Sequence, residues 1–198
     1  MKKIFAMVAV AMMTVMNVNA QNGYDETKHE VAISCGAYSN SQIIDVFENI
    51  GGAMVGAKFE NEKFFGPISV EYFYHMKNWL GVGAILAYGQ NEQDVMSGKE
   101  KIGESKNTYV TVMPAVKFDW LRKKNFGMYS KLAVGATLRN EKYDSSNNSN
   151  NDYSDSEVHV NWQVSLLGIE AGSSTIRGFA ELGTGEQGIV LAGVRVKF

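Results

Sequence analysis

The chain has 198 residues, 19 basic against 21 acidic, a single cysteine and a mean hydropathy of −0.17. That length suits one domain; the charge balance offers nothing for nucleic acid, and the lone Cys35 cannot form an internal disulfide. After residue 20 no stretch approaches the ~20 consecutive apolar residues of a helical membrane span, so only a closed barrel of strands could carry this chain across a bilayer.

Met1-Lys2-Lys3, the apolar run Ile4 to Val18 and the small-residue site Val18-Asn19-Ala20 read as a secretory signal peptide over residues 1–20. Residues 21–198 then form the one folded domain. Without Lys2 and Lys3, 17 basic residues face 21 acidic ones, a formal charge of −4.

Residues 30–39 alternate, with Val31, Ile33, Cys35 and Ala37 on one face, so Cys35 is expected to be a small apolar residue facing lipid. Over residues 41–50 the period changes, and Ile43, Ile44, Phe47 and Ile50 share one helical face. Ser41 can cap that helix and Gly51-Gly52 can end it. A short helix is expected inside a long connection (40–66), with Ala53 to Glu60 belonging to that connection and not to a further strand. Pro67 opens the second strand, where Ile68, Val70, Tyr72, Tyr74 and Met76 oppose Ser69, Glu71, Phe73 and His75. Lys77-Asn78 is a two-residue turn, and Leu80, Val82, Ala84, Leu86 and Tyr88 continue the outward face.

A polar connection is expected over 91–107. Strand four runs from about Thr108 to Trp120, with Lys117 and Asp119 inward. Pro114 in its middle removes a ladder hydrogen bond, so a local irregularity is expected at Met113 to Ala115. Leu121 to Asn125 turn the chain into strand five, whose inward set includes Tyr129, Lys131 and Arg139. The tract 140–157, rich in Asn, Ser and Asp, reads as a loop. Strand six carries Val158, Val160, Trp162, Val164 and Leu166 outward, and its alternation slips at Leu166-Leu167-Gly168, where a bulge is expected. Strand seven spans Thr175 to Gly183. The last strand ends at Phe198 with Val190, Ala192, Val194 and Val196 on the same face.

Eight strands with alternating short and long connections predict an all-β fold, an antiparallel up-and-down transmembrane barrel with a short helix in the first external loop. Aromatic residues sort by strand end. Tyr74, Trp79, Phe118, Trp120, Phe126 and Phe198 lie at one end, with Tyr88, Tyr143 and Trp162 at the other, as two interfacial girdles require. The signal peptide, these strands, Trp79-Leu80-Gly81-Val82-Gly83, Val112-Met113-Pro114 and the terminal Val194-Arg195-Val196-Lys197-Phe198 together resemble the OmpA/OmpX-like outer-membrane β-barrel family. The resemblance implies the outer membrane of a Gram-negative bacterium, with outer-membrane lipid and lipopolysaccharide around the barrel. It also implies a terminal signal (Val190, Ala192, Val194, Val196, Phe198) for the barrel-assembly machinery, and an extracellular ligand contacted through loops.

By parity the lumen receives Glu30, Glu71, Lys117, Asp119, Lys131, Arg139, Arg177, Glu181, Arg195 and Lys197. An eight-stranded barrel is just wide enough for side chains to fill, and buried charges must pair. The primary expectation is therefore a plug of ion pairs in a structural or surface-contact protein. Because six of those ten residues are basic, a narrow anion-leaning channel is the alternative. A lipid A-modifying enzyme is the third reading. His75 lies at the wrong strand end for it, and His159-Val160-Asn161 lacks the His-x-Ser arrangement of deacylase barrels. The acidic tract from Asp144 to Asp155 lacks the central glycine and terminal glutamate of a calcium loop, so no metal, cofactor or catalytic residue is assigned.

Overall fold

The computed structural model describes residues 25, 27–41, 57–97, 100–145 and 153–198. The signal peptide, and the helix expected over 41–50 beyond Ser41, lie outside them. The described residues form eight antiparallel strands in one closed ring, each bonded to its sequence neighbours and β8 bonded back to β1. They are β1 (His29–Ala37), β2 (Ala57–Lys77), β3 (Leu80–Ser97), β4 (Glu100–Arg122), β5 (Phe126–Ser145), β6 (Tyr153–Gly172), β7 (Ile176–Gly185) and β8 (Val190–Lys197).

Alternation decides which way every side chain points. Ile33, Val70, Leu86, Val112, Leu132, Val160, Leu182 and Val194 are exposed around the outside of the ring, while Glu71, Ile85, Lys117, Lys131 and Arg195 between them are buried. Cys35 is exposed on the outer face, with Ala37. On β4 the apolar belt runs from Val110 to Trp120. At about 3.3 Å per residue and a tilt of about 40° it is roughly 25 Å tall, the height of a bilayer's apolar band. Trp79, stacked on Phe118 at 6.4 Å, Trp120 and Phe198 edge the belt at the end of the tight turns. Tyr88 and Trp162 edge it at the opposite, hairpin end.

Several boundaries differ from the sequence reading, mostly for one reason. The tracts 91–107 and 140–157 stop alternating apolar with polar because both faces of a strand are polar once it clears the belt. Their backbones nevertheless continue the ladder: β3 pairs with β4 from Leu80↔Phe118 out to Ser97↔Glu100, and β5 pairs with β6 out to Tyr143↔Tyr153. Residues 98–99 and 146–152 lie outside the described set. Likewise Ala57 to Glu60 belong to β2, so they are neither loop nor an extra strand, and the ring still has eight. Pro67 does not open that strand. It sits inside it after a cis Gly66-Pro67 bond, at a register shift between Phe65 and Ile68, where a proline is tolerated. The two-residue turn is Asn78-Trp79, because Lys77 pairs with Leu80. Tyr143 points along the inner parity of β5 above the belt, so it is not part of the upper girdle.

Strand length is uneven. β2 to β6 run 18 to 23 residues, whereas β1, β7 and β8 have 9, 10 and 8. The five long neighbours therefore rise beyond the ring as a curved sheet at the hairpin end.

Candidate functional site: the charged interior

The inner parity of the strands brings charged side chains into the ring from every side. Glu170 on β6 is the hub. Arg177 Nη1 donates to its Oε1 at 2.6 Å and Arg195 Nη1 to its Oε2 at 2.5 Å. Lys197 also donates to Oε1, and Lys117 Nζ lies 3.5 Å from Oε2. Glu30 on β1 takes Lys117 Nζ at 2.8 Å, with Arg195 and Lys197 at 3.5 and 3.7 Å. Higher in the ring, Lys131 joins Glu71 at 2.5 Å to Glu181 at 2.9 Å. Arg195 reaches Glu71 at 3.4 Å, and Gln187 Nε2 donates to Glu71 at 2.7 Å.

Tyr129 on β5 is the platform of this network. Its hydroxyl donates to Glu181 at 2.7 Å, and its ring lies 4.1 Å from Lys117 Nζ and 4.8 Å from the Arg195 guanidinium. Cations over an aromatic face gain from the ring quadrupole. Gly168 makes room for the ring: a Cβ there would stand 2.4 Å from it. At the turn end Asp25 accepts from Arg177 at 3.0 Å and Lys197 at 2.9 Å, with Arg122 at 3.8 Å. Burial alone would raise the Asp25 carboxyl, but Lys197, Thr27 and Arg177 outweigh it and hold it below its ordinary value. His75, nearly fully buried, stands between two carboxylates, with Nε2 at 3.2 Å from Glu30 and Nδ1 at 3.3 Å from Asp119.

Thus Glu71, Lys117, Asp119, Lys131, Arg177, Glu181, Arg195 and Lys197 share one interior with Glu30. Arg139 does not join them. It sits above the belt, partly exposed, 3.7 Å from Glu141 and over the Tyr109 ring. Sequence reasoning missed Asp25, which precedes the first strand, Arg122, which ends β4 buried beside Asp25 and not in the turn expected over Leu121 to Asn125, and Glu170, whose parity is reset by a bulge. That bulge appears between Ser165 and Leu167, at the expected slip. The register shift passes Gly168 and Glu170 to the inner face. Carrying the slip through to the acid two residues on would have found the hub.

These changes reset the charge count. Among the described residues, the interior holds the carboxylates of Asp25, Glu30, Glu71, Asp119, Glu170 and Glu181. It holds the cations of Lys117, Arg122, Lys131, Arg177, Arg195 and Lys197. The basic excess behind the anion-leaning reading is gone.

A second cluster closes the hairpin end. The buried Glu186 carboxylate accepts from the Ser41 amide at 3.2 Å, the Ser41 hydroxyl at 2.7 Å, Asn161 Nδ2 at 2.8 Å and Thr111 at 3.3 Å. No cation pairs with it among the described residues, and burial raises its pKa although those donors oppose the rise. His159 Nε2 has no hydrogen-bond partner among the described residues, and these hold no metal-binding group of His, Cys, Asp or Glu. The proposed terminal signal lies outward on β8, where Val194 and Phe198 are exposed. The Phe198 amide donates to the His29 carbonyl at 2.9 Å, and the two rings stack at 5.6 Å.

No family model matches the sequence, and no curated protein matches it. Among solved structures the fold is similar to Ail, the attachment invasion locus protein of Yersinia pestis. The likeness extends to Ail alone and to Ail in complex with the heparin analogue sucrose octasulfate. Sequence identity is 15% in both, with 87% and 86% of this chain and 95% and 96% of Ail covered, at TM-scores of 0.42 and 0.43. This is a likeness of fold.

Proposed function

We propose that this chain is an outer-membrane β-barrel of a Gram-negative bacterium. In this reading it is exported by its signal peptide, closed to solutes by its own side chains, and acts at the cell surface through the strands and loops of its hairpin end. The observation that carries the reading is the combination of an apolar outer belt roughly 25 Å tall with an interior of matched, fully buried charges. A soluble barrel would reverse that arrangement, with apolar residues inside and charges in water. The terminal strand residues Val190 to Phe198 serve assembly, and the protein has no catalytic role. The balance of interior charge and the Glu186–Ser41 closure favour a plug over the anion-leaning channel.

Reconstitution in planar bilayers tests this. The proposal expects a heat-modifiable band on gels, because a closed ring has no free strand from which to open within the belt, and no steps of conductance. An epitope inserted within 146–152 should be reachable by antibody on intact cells. Stepwise anion-selective current, or an epitope seen only after lysis, would overturn it.

A further inference from the structure

The exposed charges of the described residues sort by end of the barrel. At the turn end the exposed charged side chains are Lys28, Lys77, Lys123 and Lys124. The acids there, Asp25, Glu30, Asp119 and Glu170, are buried and already hold interior cations. The exposed acids Glu104, Asp144, Asp155 and Glu157 lie at the hairpin end. None of the four lysines makes an ion pair among the described residues. Their backbones are pinned by the barrel. The Lys123 and Lys124 carbonyls accept from Arg177 Nη2 at 2.9 and 2.8 Å, and the Lys123 amide donates to the Phe126 carbonyl at 2.9 Å. With this main chain turned in toward a buried guanidinium, both side chains are left outside. The Lys28 carbonyl accepts the His75 amide at 2.7 Å, and Lys77 pairs with Leu80 across the two-residue turn.

Depth decides what these ammonium groups meet. Lys77 Nζ lies 5.6 Å from the centre of the Trp79 ring, and Trp79 stacks on Phe118. The Asp119 amide donates to the Trp79 carbonyl, which brings Trp120 to the same edge. Trp79 and Trp120 are exposed there, as rings at headgroup level are. Lys123 follows Trp120 by three residues, about 8 Å along the barrel axis, which is roughly the thickness of a headgroup layer. Lysine stems cross such a step by lying along apolar surface with the charge in the polar layer. Three lysines on two neighbouring turns therefore flank one aromatic edge at the depth of lipid phosphates. We propose that this turn end is a docking surface for anionic phospholipid headgroups, the phosphate of phosphatidylglycerol meeting Lys77, Lys123 and Lys124 beside Trp79 and Trp120. Each lysine close to an anionic lipid surface contributes about fivefold in affinity, whereas a zwitterionic headgroup carries its own cation and offers no net charge. The inference rests on the membrane reading above and goes beyond it by naming the lipid that the turn end selects.

The test uses the mature chain reconstituted in phosphatidylcholine vesicles. The chain has three tryptophans, so Trp162→Phe leaves Trp79 and Trp120 as the only emitters. Acyl-brominated phosphatidylglycerol and acyl-brominated phosphatidylcholine are compared as quenchers. Phosphatidylglycerol should be preferred at least about fivefold. Changing Lys77→Gln, Lys123→Gln and Lys124→Gln together should bring the preference below about twofold, with heat-modifiable mobility showing that the variant is folded. Raising the salt to about 1 M, where screening acts within about 3 Å, should do the same to the unaltered lysines. Equal quenching by the two lipids, or a preference that survives both the triple change and the salt, would overturn the proposal. Equal quenching together with co-sedimentation on purified peptidoglycan would give the lysines to the cell wall and overturn it equally. Quenching by neither lipid would sink the membrane reading itself, so the two failures are told apart.

Discussion

Replacing Glu170 by glutamine removes one negative charge from the hub without changing side-chain volume, so no cavity accompanies it. Its cations are not all stranded: Arg177 keeps Asp25, Lys197 keeps Asp25 and Glu30, Lys117 keeps Glu30 and Asp119, and Arg195 keeps Glu30 and Glu71. Breaking a buried pair costs about 3–5 kcal/mol, and the surviving contacts place this change near the lower end, about 3 kcal/mol. With a urea slope of about 2 kcal/mol per molar, the midpoint of reversible unfolding in lipid vesicles should fall by roughly 1.5 M. Lys142→Gln, exposed above the belt, should stay within about 0.5 kcal/mol of the parent. Equal midpoints for Glu170→Gln and the parent would mean that the interior charges are solvated, and the plug reading would fail with them.

Tyr129→Phe keeps the ring beneath Lys117 and Arg195 but removes the bond to Glu181, and should cost about 1.5–3 kcal/mol in the same assay. Gly168→Ala should cost at least as much, since the new methyl displaces that ring. Acid titration separates two carboxylates outside the strands. The depressed Asp25 contributes stability above its ordinary value of 3.8 that is lost as pH falls through its lower folded value, and Asp25→Asn should flatten that limb. Glu186, raised, acts oppositely. Stability should improve as pH falls through its raised folded value toward 4.5, and Glu186→Gln should remove the improvement.

Parity was legible wherever an apolar outer face alternated with a polar inner one, so the ring, its eight strands and most of the interior charges could be read from residues such as Val112, Lys117 and Val194. What escaped lay where that contrast vanishes. Above the belt, Asn91 to Asn107 look like loop because the buried inner face is itself polar, lined by Asn91, Gln93, Ser105 and Asn107, yet on either side of 98–99 their backbones pair through a single register shift between Val95 and Met96. Glu186 sat in what reads as a turn, and only the close return of Ser41 shows that its carboxylate closes the ring. Asp25 had no strand to lend it a parity, and Arg139 had the right parity at the wrong height.

Pro114 offers the closest check on the ladder itself. β4 runs through it unbroken to Arg122, with Pro114 exposed outward and Lys117 buried, as the sequence required. On the β3 side the register is complete, Ala84↔Pro114 included. On the β5 side it passes from Val112↔Ala136 to Ala115↔Ala133, and no pairing joins Met113 or Pro114 to β5. The Asp119 amide donates to Trp79 on the β3 side, so the even-numbered residues of this stretch direct their backbone toward β5. The missing Pro114 N–H therefore leaves the Val134 carbonyl without its ladder donor, inside the apolar belt. Pro114→Val should supply it. A net hydrogen bond contributes about 0.5–1.5 kcal/mol, and losing proline's restriction of the unfolded chain returns about 0.4–1 kcal/mol. Because the rescued carbonyl lies within the apolar belt, where an unmet group costs more than in water, the gain should prevail, raising the urea midpoint modestly. Hydrogen exchange is the sharper measurement: in the Pro114→Val variant the newly introduced amide should exchange as slowly as those of Val112 and Val116. Fast exchange of that amide would place its N–H elsewhere, and the assignment of even-numbered β4 backbone to the β5 ladder would be wrong.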